Sequence, residues 1–560
     1  PSGSFQNINR RYDIVYGDVM LNFNYNIRRF DIAATLGWTG RYENMNNMRV
    51  STNGGLVTEN WFDLNASRYT ASSTLQRMEL LKTGYMGTLS LGWDNYLFLE
   101  LTGRQERSST LKDQSFFYPS ANLSFLFSNA FRMPAWWNHG KLRLSYGVVG
   151  NAPETYAANI IYEQGSDNGF TWNYVPSSWG NANIRPEKKY EYEIGFESKF
   201  LNNRLGFDVS YYNNRVKDQI LSTPQPSTSG VKYVLMNVGE VANEGWDISV
   251  SATPVLTKNF RWDLTANYGI YRNKVVKLAD GVPYLEISNI GGGGAKIQAV
   301  EGRPMGDIYV QVPQMNENGE YLVSDKGLYM NQTELQRVGN INPDGVGGLF
   351  SSFSYKNIFL DFSIDFRIGG DVINEMYQYS TASGLTPESL QFRDTEHGGL
   401  SYYYPGNNNA SGVPVQVDPS LGAGPNGETV YHDGVILPGV VASTGEKNTR
   451  IIPAGYYYNQ TYNWGTQPEQ LTYRHSVFDN SYVKLRELTI GYQFPEKLIS
   501  KLGMTRLSVS VFGRNLFYFY KALKNYDAES SVGTSWASQA VVGGSTTATR
   551  NFGVSLRASF

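Results

Sequence analysis

The chain has 560 residues, of which 41% are hydrophobic and 14% aromatic; it contains no cysteine and carries a formal net charge of −2. These values exclude disulfides and thiolate chemistry, and they give no reason to expect nucleic acid as a partner. The mean hydropathy is −0.39. The sequence has no apolar run of about 18 residues, so it excludes transmembrane helices but not a membrane β-barrel, whose lumen face and loops are polar.

Apolar and polar residues alternate with a period of two in segments that come mostly in pairs, which predicts antiparallel hairpins. About fifteen strands are expected. In chain order they are 19–27 and 30–38, 85–93 and 97–102, 121–127 and 142–148, 190–197 and 205–211, 246–252 and 260–270, 349–355 and 358–368, 488–494 and 507–511, and the unpaired 550–560.

The clearest hairpin has glutamates along one face of its first strand. Glu191, Glu193 and Glu197 alternate there with apolar and aromatic side chains, including Ile194. Because carboxylates cannot face an apolar core without partners, the glutamate face is expected to be wet. The other face, with Ile194, is expected to contact lipid. Lumen charges of this kind, which also include Asp361 and Arg367, are expected to hydrogen-bond to a plug.

The last strand of the sequence is amphipathic and ends on an aromatic residue, Phe560. In an outer-membrane barrel the closing strand pairs with the first strand, and its outward face meets lipid. Phe560 is therefore expected to be part of the signal that the barrel-assembly machinery reads.

The connections within the predicted hairpins are mostly short, whereas four of the connections between hairpins are long: about 150–187, 271–346, 370–480 and 517–547. Outer-membrane barrels have this asymmetry, with short periplasmic turns and long extracellular loops, and a β-sandwich or a propeller has no reason for it. The predicted fold class is all-β, a transmembrane antiparallel β-barrel. Because such barrels have an even number of strands, an odd count predicts further strands before residue 1.

Several segments resemble hallmarks of one family. They are Lys141–Asn151, Asn183–Lys188, Asn213–Asp218, Pro226–Gly230, Asn237–Gly245, Glu301–Gly306, Gly339–Asp344 and Gly513–Phe517. On these segments the chain resembles the SusC/RagA family of TonB-dependent outer-membrane transporters, and the matches run in order along nearly the whole chain.

The resemblance implies a plugged barrel of roughly twenty-two strands. Residues 1–560 would then be its C-terminal part, with the N-terminal strands and the plug outside the chain. It also implies TonB-dependent import of oligomeric glycans or peptides across the bacterial outer membrane, with a SusD-like surface lipoprotein capping extracellular loops. TonB would act through the N-terminal part of the protein. A siderophore- or cobalamin-type receptor is the nearest alternative, and a passive porin is a more distant one.

Aromatic clusters in the long loops are the candidate contacts for substrate or a partner protein. They are Trp172, Tyr174 and Trp179 in one loop, and Tyr402, Tyr403, Tyr456, Tyr457 and Trp464 in another. Rigid amphipathic rings suit stacking on sugars and anchoring a protein. The competing interpretation is that these rings pack the loops into a stable rim. Because ordering such loops alone is entropically costly, they favour a partner.

Other motifs carry little chemistry. The four histidines share no metal-ligand spacing, and no set of residues predicts an enzyme or a cofactor site. The run Gly291–Lys296 lacks the Gly-Lys-Ser/Thr ending of a phosphate-binding loop and is interpreted as loop flexibility. Asn316–Glu320 has the oxygen-rich composition of a Ca²⁺ loop, but such a segment with a glycine is more often only a turn.

Overall fold

The computed structural model describes residues 3–112, 115–167, 170–225, 228, 230–462, 473–544 and 548–560. The chain divides into two compact units. The first unit comprises Pro1–Trp246 and Val276–Val282, and the second comprises Asp247–Val275 and Pro283–Phe560. Among the described residues, none of the helices has the length and apolar character that crossing a membrane requires.

The first unit consists mainly of long strands. They are β1 Gln6–Ile27, β2 Phe30–Leu56, β3 Ser67–Trp93, β4 Leu97–Ser108, β5 Ser115–Phe125, β6 Trp137–Asn151, β7 Glu163–Asp167, β8 Phe170–Tyr174, β9 Ser178–Trp179, β10 Glu187–Phe200, β11 Leu205–Lys217, β12 Ile220–Pro224 and β13 Tyr233–Asn237, followed by β14 Glu240–Leu256, which continues into the second unit. One short helix, α1 Phe127–Ala130, and a 3₁₀ turn, Leu64–Ala66, lie in the connections.

The second unit combines long strands with many short ones. They are β15 Phe260–Lys277, β16 Tyr284–Ile290, β17 Ala295–Val300, β18 Asp307–Val310, β19 Leu322–Val323, β20 Gln336–Asn340, β21 Gly345–Tyr355, β22 Ile358–Ile368, β23 Asp371–Asn374, β24 Leu400–Tyr403, β25 Val415–Gln416, β26 Val430–Val435, β27 Val440–Val441, β28 Ile452–Pro453, β29 Val477–Asp479, β30 Tyr482–Gln493, β31 Arg506–Lys521, β32 Val541–Val542 and β33 Asn551–Ser559. Its helices are α2 Glu375–Ala382, α3 Ala454–Tyr462 and α4 Glu496–Ile499, with 3₁₀ turns at Gly291–Gly293, Pro387–Leu390, Pro405–Asn407, Tyr473–Ser476, Ser500–Leu502 and Ser538–Ala540.

Fifteen strands form one sheet, which we call the wall sheet. Their order is β1-β2-β3-β4-β5-β6-β10-β11-β14-β15-β21-β22-β30-β31-β33, so every wall strand neighbours the next wall strand along the chain. This confirms the predicted number of strands. Several strands are much longer than predicted: β1 has 22 residues, and β2 and β3 have 27 residues each. A membrane-spanning strand needs only about 9–11 residues. In these long strands the two-residue periodicity marked only the amphipathic part and missed the polar extension.

The connections between wall strands range from two-residue turns to long segments. Arg28 and Lys356 begin two-residue turns and have left-handed backbone, with φ of 56° and 53°. The long connections span 152–186, 278–344, 369–481 and 522–550, and a further one, 218–239, was not predicted. Within these segments the chain forms small sheets of its own, such as β16-β17-β18-β20 and β25-β24-β26-β28.

Charges on the wall sheet are paired across strands. Arg143 on β6 reaches Glu197 on the neighbouring strand β10 (Nη1–Oε2 3.4 Å) and, beyond it, Asp208 on β11 (Nη2–Oδ1 2.7 Å). On the opposite face of β10, Ile194 is 51% exposed. The two faces of the hairpin therefore differ in polarity as expected, and Arg143 partly neutralises the carboxylate face.

Some charges that were expected to reach a plug have partners within the chain. Asn214 donates to Glu191 (Nδ2–Oε2 3.2 Å), and Ser352 donates to Asp361 (Oγ–Oδ1 2.6 Å). Arg367 donates to the carbonyl of Ile341 (Nη2–O 3.0 Å). Contact of these groups with a plug stays a prediction.

The long connections of the second unit are held together by a hydrophobic core of their own. Its buried members come from segments far apart in sequence: Ile290, Ala295, Ile297, Ile308, Val310, Ile341, Ile373, Tyr473, Ala537, Ala540 and Val541. β32, from the last long connection, pairs in parallel with β23. Burial of apolar surface in this core therefore offsets the entropic cost of ordering the connections, which a partner was expected to do.

Candidate functional site

Three of the resemblance segments meet in the first unit. The side-chain oxygen of Asn237 accepts from the amide of Arg185 (2.6 Å), and its Nδ2 donates to the carbonyls of Arg185 (2.7 Å) and Asp218 (2.9 Å). Arg185 also pairs with the Asp218 carboxylate (Nη2–Oδ1 3.1 Å). Arg185 lies just before β10, Asp218 follows β11, and Asn237 ends β13 inside the 218–239 connection. The segments therefore tie connection ends to each other, which is a structural role that spacing alone did not reveal.

Two further resemblance segments meet in the second unit around Asp307, which is fully buried. Its carboxylate accepts from Arg303 (Nε–Oδ2 2.6 Å) and Asn340 (Nδ2–Oδ1 2.9 Å), and it forms an ion pair with Arg337 (Nε–Oδ2 2.9 Å). Asn342 in turn donates to the carbonyl of Met305 (2.6 Å). We call Arg303, Asp307, Arg337 and Asn340 the Asp307 cluster.

A glycine makes the close approach beside the Asp307 cluster. Gly306 has φ of +93°, and a Cβ there would lie 2.8 Å from Ile341 and Trp536. A larger residue would be strained in this backbone conformation and would also collide with both side chains. Gly306 therefore permits the chain to turn between Met305 and the cluster.

The aromatic candidates of the first unit lie on or beside a small hairpin formed by β7 and β8. Trp172 and Tyr174 are 48% and 43% exposed. Tyr174 stands opposite Glu163, and a hydrogen bond to that carboxylate raises the pKa of the Tyr174 phenol. Trp179 is half-buried, with its ring edge against Tyr162 at a centroid distance of 5.9 Å. Trp172 and Tyr174 can therefore offer aromatic surface to a partner.

Tyr402 and Tyr403 are adjacent on β24 but differ in burial. Tyr402 is 1% exposed, stacks on Tyr431 (centroids 5.5 Å apart) and donates to Asp433 (Oη–Oδ1 3.1 Å). Burial raises the pKa of its phenol. Tyr402 thus packs the connection, as the competing interpretation expected, and in this chain it presents no ring to solvent. Tyr403 is half-buried.

The third group of candidates lies on helix α3. Tyr456 is 37% exposed, whereas Tyr457 is half-buried, and burial raises its pKa to about 12. Tyr458, next to them, is buried and donates to the carbonyl of Glu388 (2.8 Å). Trp464 lies outside the described residues. The structure therefore leaves Tyr456 as the accessible member of this group.

A charged network that sequence reasoning missed joins the last long connection to the wall sheet. Glu529 accepts from Lys484 (Nζ–Oε2 2.5 Å) and from Arg486 (Nη2–Oε1 2.6 Å). Arg486 also pairs with Asp365 on the neighbouring strand (Nε–Oδ2 2.5 Å). Lys484 is 2% exposed. The predicted strand 488–494 did not include Lys484 or Arg486, and their shared partner Glu529 is more than 40 residues away in sequence.

The remaining motifs resolve into local structure. Gly291 has φ of +58°, and a Cβ there would lie 1.6 Å from the Tyr473 hydroxyl, so this glycine serves close packing rather than flexibility. Asn316 closes its own turn, because its Oδ1 accepts from the amides of Asn318 and Glu320 (both 3.0 Å). Among the described residues, no group of three His, Cys, Asp or Glu side chains could hold a metal. The Ca²⁺ interpretation gains no support.

Comparisons with known proteins agree with this architecture. A family model described as "TonB dependent receptor-like, beta-barrel" matches residues 1–307. TonB-dependent receptor P3 of Formosa agariphila is 22% identical over 494 residues, which cover 80% of this chain and 42% of that protein. TonB-dependent receptor SusC of Bacteroides thetaiotaomicron is 27% identical over 256 residues, which cover 40% of this chain and 24% of SusC.

A solved structure of the RagAB peptide transporter shows the same fold. Its matching chain superposes with a TM-score of 0.69 at 18% identity, and the match covers 98% of this chain and 56% of that chain. This chain spans less than half the length of the curated relatives that it matches.

The predicted fold class and the resemblance to the SusC/RagA family are confirmed: the wall sheet is the wall of an outer-membrane, all-β, antiparallel barrel. The relatives named here are TonB-dependent receptors by name. Since the family model covers more than half of the 560 residues, the chain belongs to the TonB-dependent receptor-like β-barrel family.

Proposed function

We propose that the protein containing this chain actively imports oligomeric nutrients, glycans or peptides, across the outer membrane, and that a SusD-like lipoprotein closes its extracellular mouth. The observation that carries this proposal is the construction of the connections of the second unit. Residues 278–344, 369–481 and 522–550 form several small sheets around shared cores. Energy would come from TonB, acting through a part of the protein outside this chain.

The extent of these connections supports a large partner rather than a small ligand. A specific protein–protein interface buries about 1,200–2,000 Å² in total. Ordered connections of this length can supply such an area, and because they are already packed, little entropy is lost when a partner binds. A small-molecule site needs only a pocket with a volume of about 300–1,000 Å³, which far shorter loops can form.

Exposed apolar side chains in the 152–186 connection, on the β7–β8 hairpin and just before it, support a docking role. Ile161 and Tyr162 are 60% and 64% exposed, and Phe170 is 78% exposed. Trp172 and Tyr174, in the same connection, are of the residue types that dominate binding energy at interfaces. In the proposed arrangement these connections face the cell exterior and these exposed side chains contact the lipoprotein.

The experiment is a mild-detergent pull-down of the full-length receptor from native membranes. Co-purification of a SusD-like lipoprotein with the wild type, and its loss in a Phe170→Ser/Trp172→Ser double variant, would support the proposal. Trp136→Ser is the matched control, because Trp136 is 53% exposed but lies in the connection between β5 and β6. All variants are first checked for heat-modifiable, folded barrel.

Uptake measurements separate the alternative functions. Import of labelled oligomers should stop when TonB is deleted and when the lipoprotein is deleted. Uptake that continues without TonB would indicate a passive porin. TonB-dependent uptake of an iron chelate or cobalamin, with oligomer uptake unaffected by deletion of this receptor, would indicate the alternative receptor class.

A further inference from the structure

A cavity of about 630 Å³ lies within the second unit, beside the end of α2, the strand β26 and the beginning of α3. Its size is that of a site for a small ligand or for one unit of an oligomer. Its lining combines hydroxyl, charged and aromatic groups: Ser383, Arg393, Asp394, Tyr431, His432, Asp433 and Tyr458 are among the residues that surround it.

Three polar side chains of the cavity, Arg393, His432 and Asp433, each form a hydrogen bond with a neighbouring residue. The Arg393 guanidinium donates to the carbonyls of Ser389 (Nε–O 3.1 Å) and Gly384 (Nη2–O 2.7 Å). The Nδ1 of His432 lies 2.8 Å from the hydroxyl of Ser401. Since these contacts fix the side chains before a ligand arrives, little side-chain entropy is lost on binding.

The third polar group and the aromatic wall share one buried partner, Tyr402. The Tyr402 hydroxyl donates to Asp433, and its ring stacks on Tyr431 with an interplanar angle of 23°. Tyr402 is 1% exposed, whereas Tyr431 is 37% exposed and lines the cavity. The buried tyrosine therefore orients both a flat aromatic surface and a carboxylate acceptor beside it.

We propose that this cavity binds one unit of a neutral saccharide chain, an inference that rests on the proposed import of oligomers and selects glycan over peptide for this site. A sugar ring presents a C–H face that stacks on an aromatic ring, and hydroxyls that both donate and accept. Tyr431 supplies the ring, Asp433 an acceptor and Arg393 a donor.

The charge of the cavity selects a neutral ligand over an anionic one. Among the described residues that line the cavity, Arg393 is the one permanent cation, and Asp394 and Asp433 are carboxylates. Asp394 is already engaged, because its Oδ1 lies 2.7 Å from Nδ1 of His397. A uronate, a sulfated sugar or a peptide carboxylate would meet more negative than positive charge here.

The test measures binding of defined oligomers to the full-length receptor in detergent by isothermal titration calorimetry. The probes are neutral glucan, mannan and galactan oligosaccharides, polygalacturonate oligosaccharides and a casein peptide digest. We expect at least one neutral oligosaccharide to bind, Tyr431→Ala and Asp433→Asn each to weaken it about tenfold or more, and Tyr431→Phe to retain it. Tyr321→Ala, at a residue with the same 37% exposure in another part of the unit, is the control.

Each result decides between the site and the function. Neutral saccharide binding that Tyr431→Ala and Asp433→Asn leave unchanged would overturn the site while the proposed import stands. Binding of peptide or polygalacturonate that both variants abolish would overturn the ligand class. Failure of the wild type to bind any probe would overturn the cavity proposal, and TonB-independent uptake in cells would separately overturn the proposed function. Tyr431→Phe guards against misfolding, because it keeps the ring that packs on Tyr402.

Discussion

Replacing Asp307 with Asn tests whether the Asp307 cluster joins β18 to β20 within the 278–344 connection. The variant keeps the shape of the side chain but removes its charge. Asp307 is fully buried, accepts hydrogen bonds from Arg303 and Asn340, and forms an ion pair with Arg337. An asparagine at this position has a single acceptor oxygen, so its amide nitrogen must face another donor.

The expected cost follows from the burial of the carboxylate and the exposure of its partners. Removing one member of a buried ion pair typically costs about 3–5 kcal/mol. The side chains of Arg303 and Arg337 are 41% and 39% exposed, so both guanidinium groups can turn toward water and recover part of their solvation. We therefore expect local destabilisation at the lower end, about 3 kcal/mol.

Hydrogen–deuterium exchange on the full-length receptor measures this change. A free-energy change of about 3 kcal/mol corresponds to roughly a hundredfold loss of protection. The loss should be confined to amides of β17, β18 and β20, whereas the exchange of β10 and β11 in the first unit should not change.

The matched control is Asp280→Asn. Asp280 pairs with Lys277 at 3.4 Å, but its side chain is 95% exposed. Surface ion pairs of this kind contribute little to the free energy of unfolding. Protection should therefore be unchanged in the control. Equal exchange in Asp307→Asn and the wild type would refute the structural role assigned to the cluster.

Three further outcomes are expected. Ile194→Arg should destabilise the full-length barrel by about 2–4 kcal/mol in denaturant titrations from lipid vesicles, and an equal cost for Glu193→Arg would contradict the assigned faces. Deleting Phe560 should lower the amount of heat-modifiable barrel in cells, so undiminished assembly would remove it from the assembly signal. Burial lowers the pKa of His475 from 6.5. The unfolded state therefore binds the proton first, and protection of residues 473–479 should fall as the pH drops through about 6.5, whereas His475→Gln should show no such fall.

The wall strands could be predicted from the sequence because their pattern is local. Each wall strand has one polar and one apolar face, so successive side chains alternate between the two environments, as Glu193 and Ile194 do. Polar extensions such as 41–56 of β2 have no such contrast, which is why the predicted strands were too short.

The interior of the long connections was decided by tertiary structure. Tyr402 and Tyr431 are both tyrosines in polar, glycine-rich segments, yet Tyr402 is buried and Tyr431 lines a cavity. Their difference in burial arises because β24 pairs with β26, which lies about 30 residues further along the sequence. Likewise, residue 291 must be a glycine because the Tyr473 hydroxyl packs against it. The buried ammonium of Lys484 is neutralised by Glu529. Such roles depend on which distant segments meet, and a periodicity that spans a few residues carries no record of that.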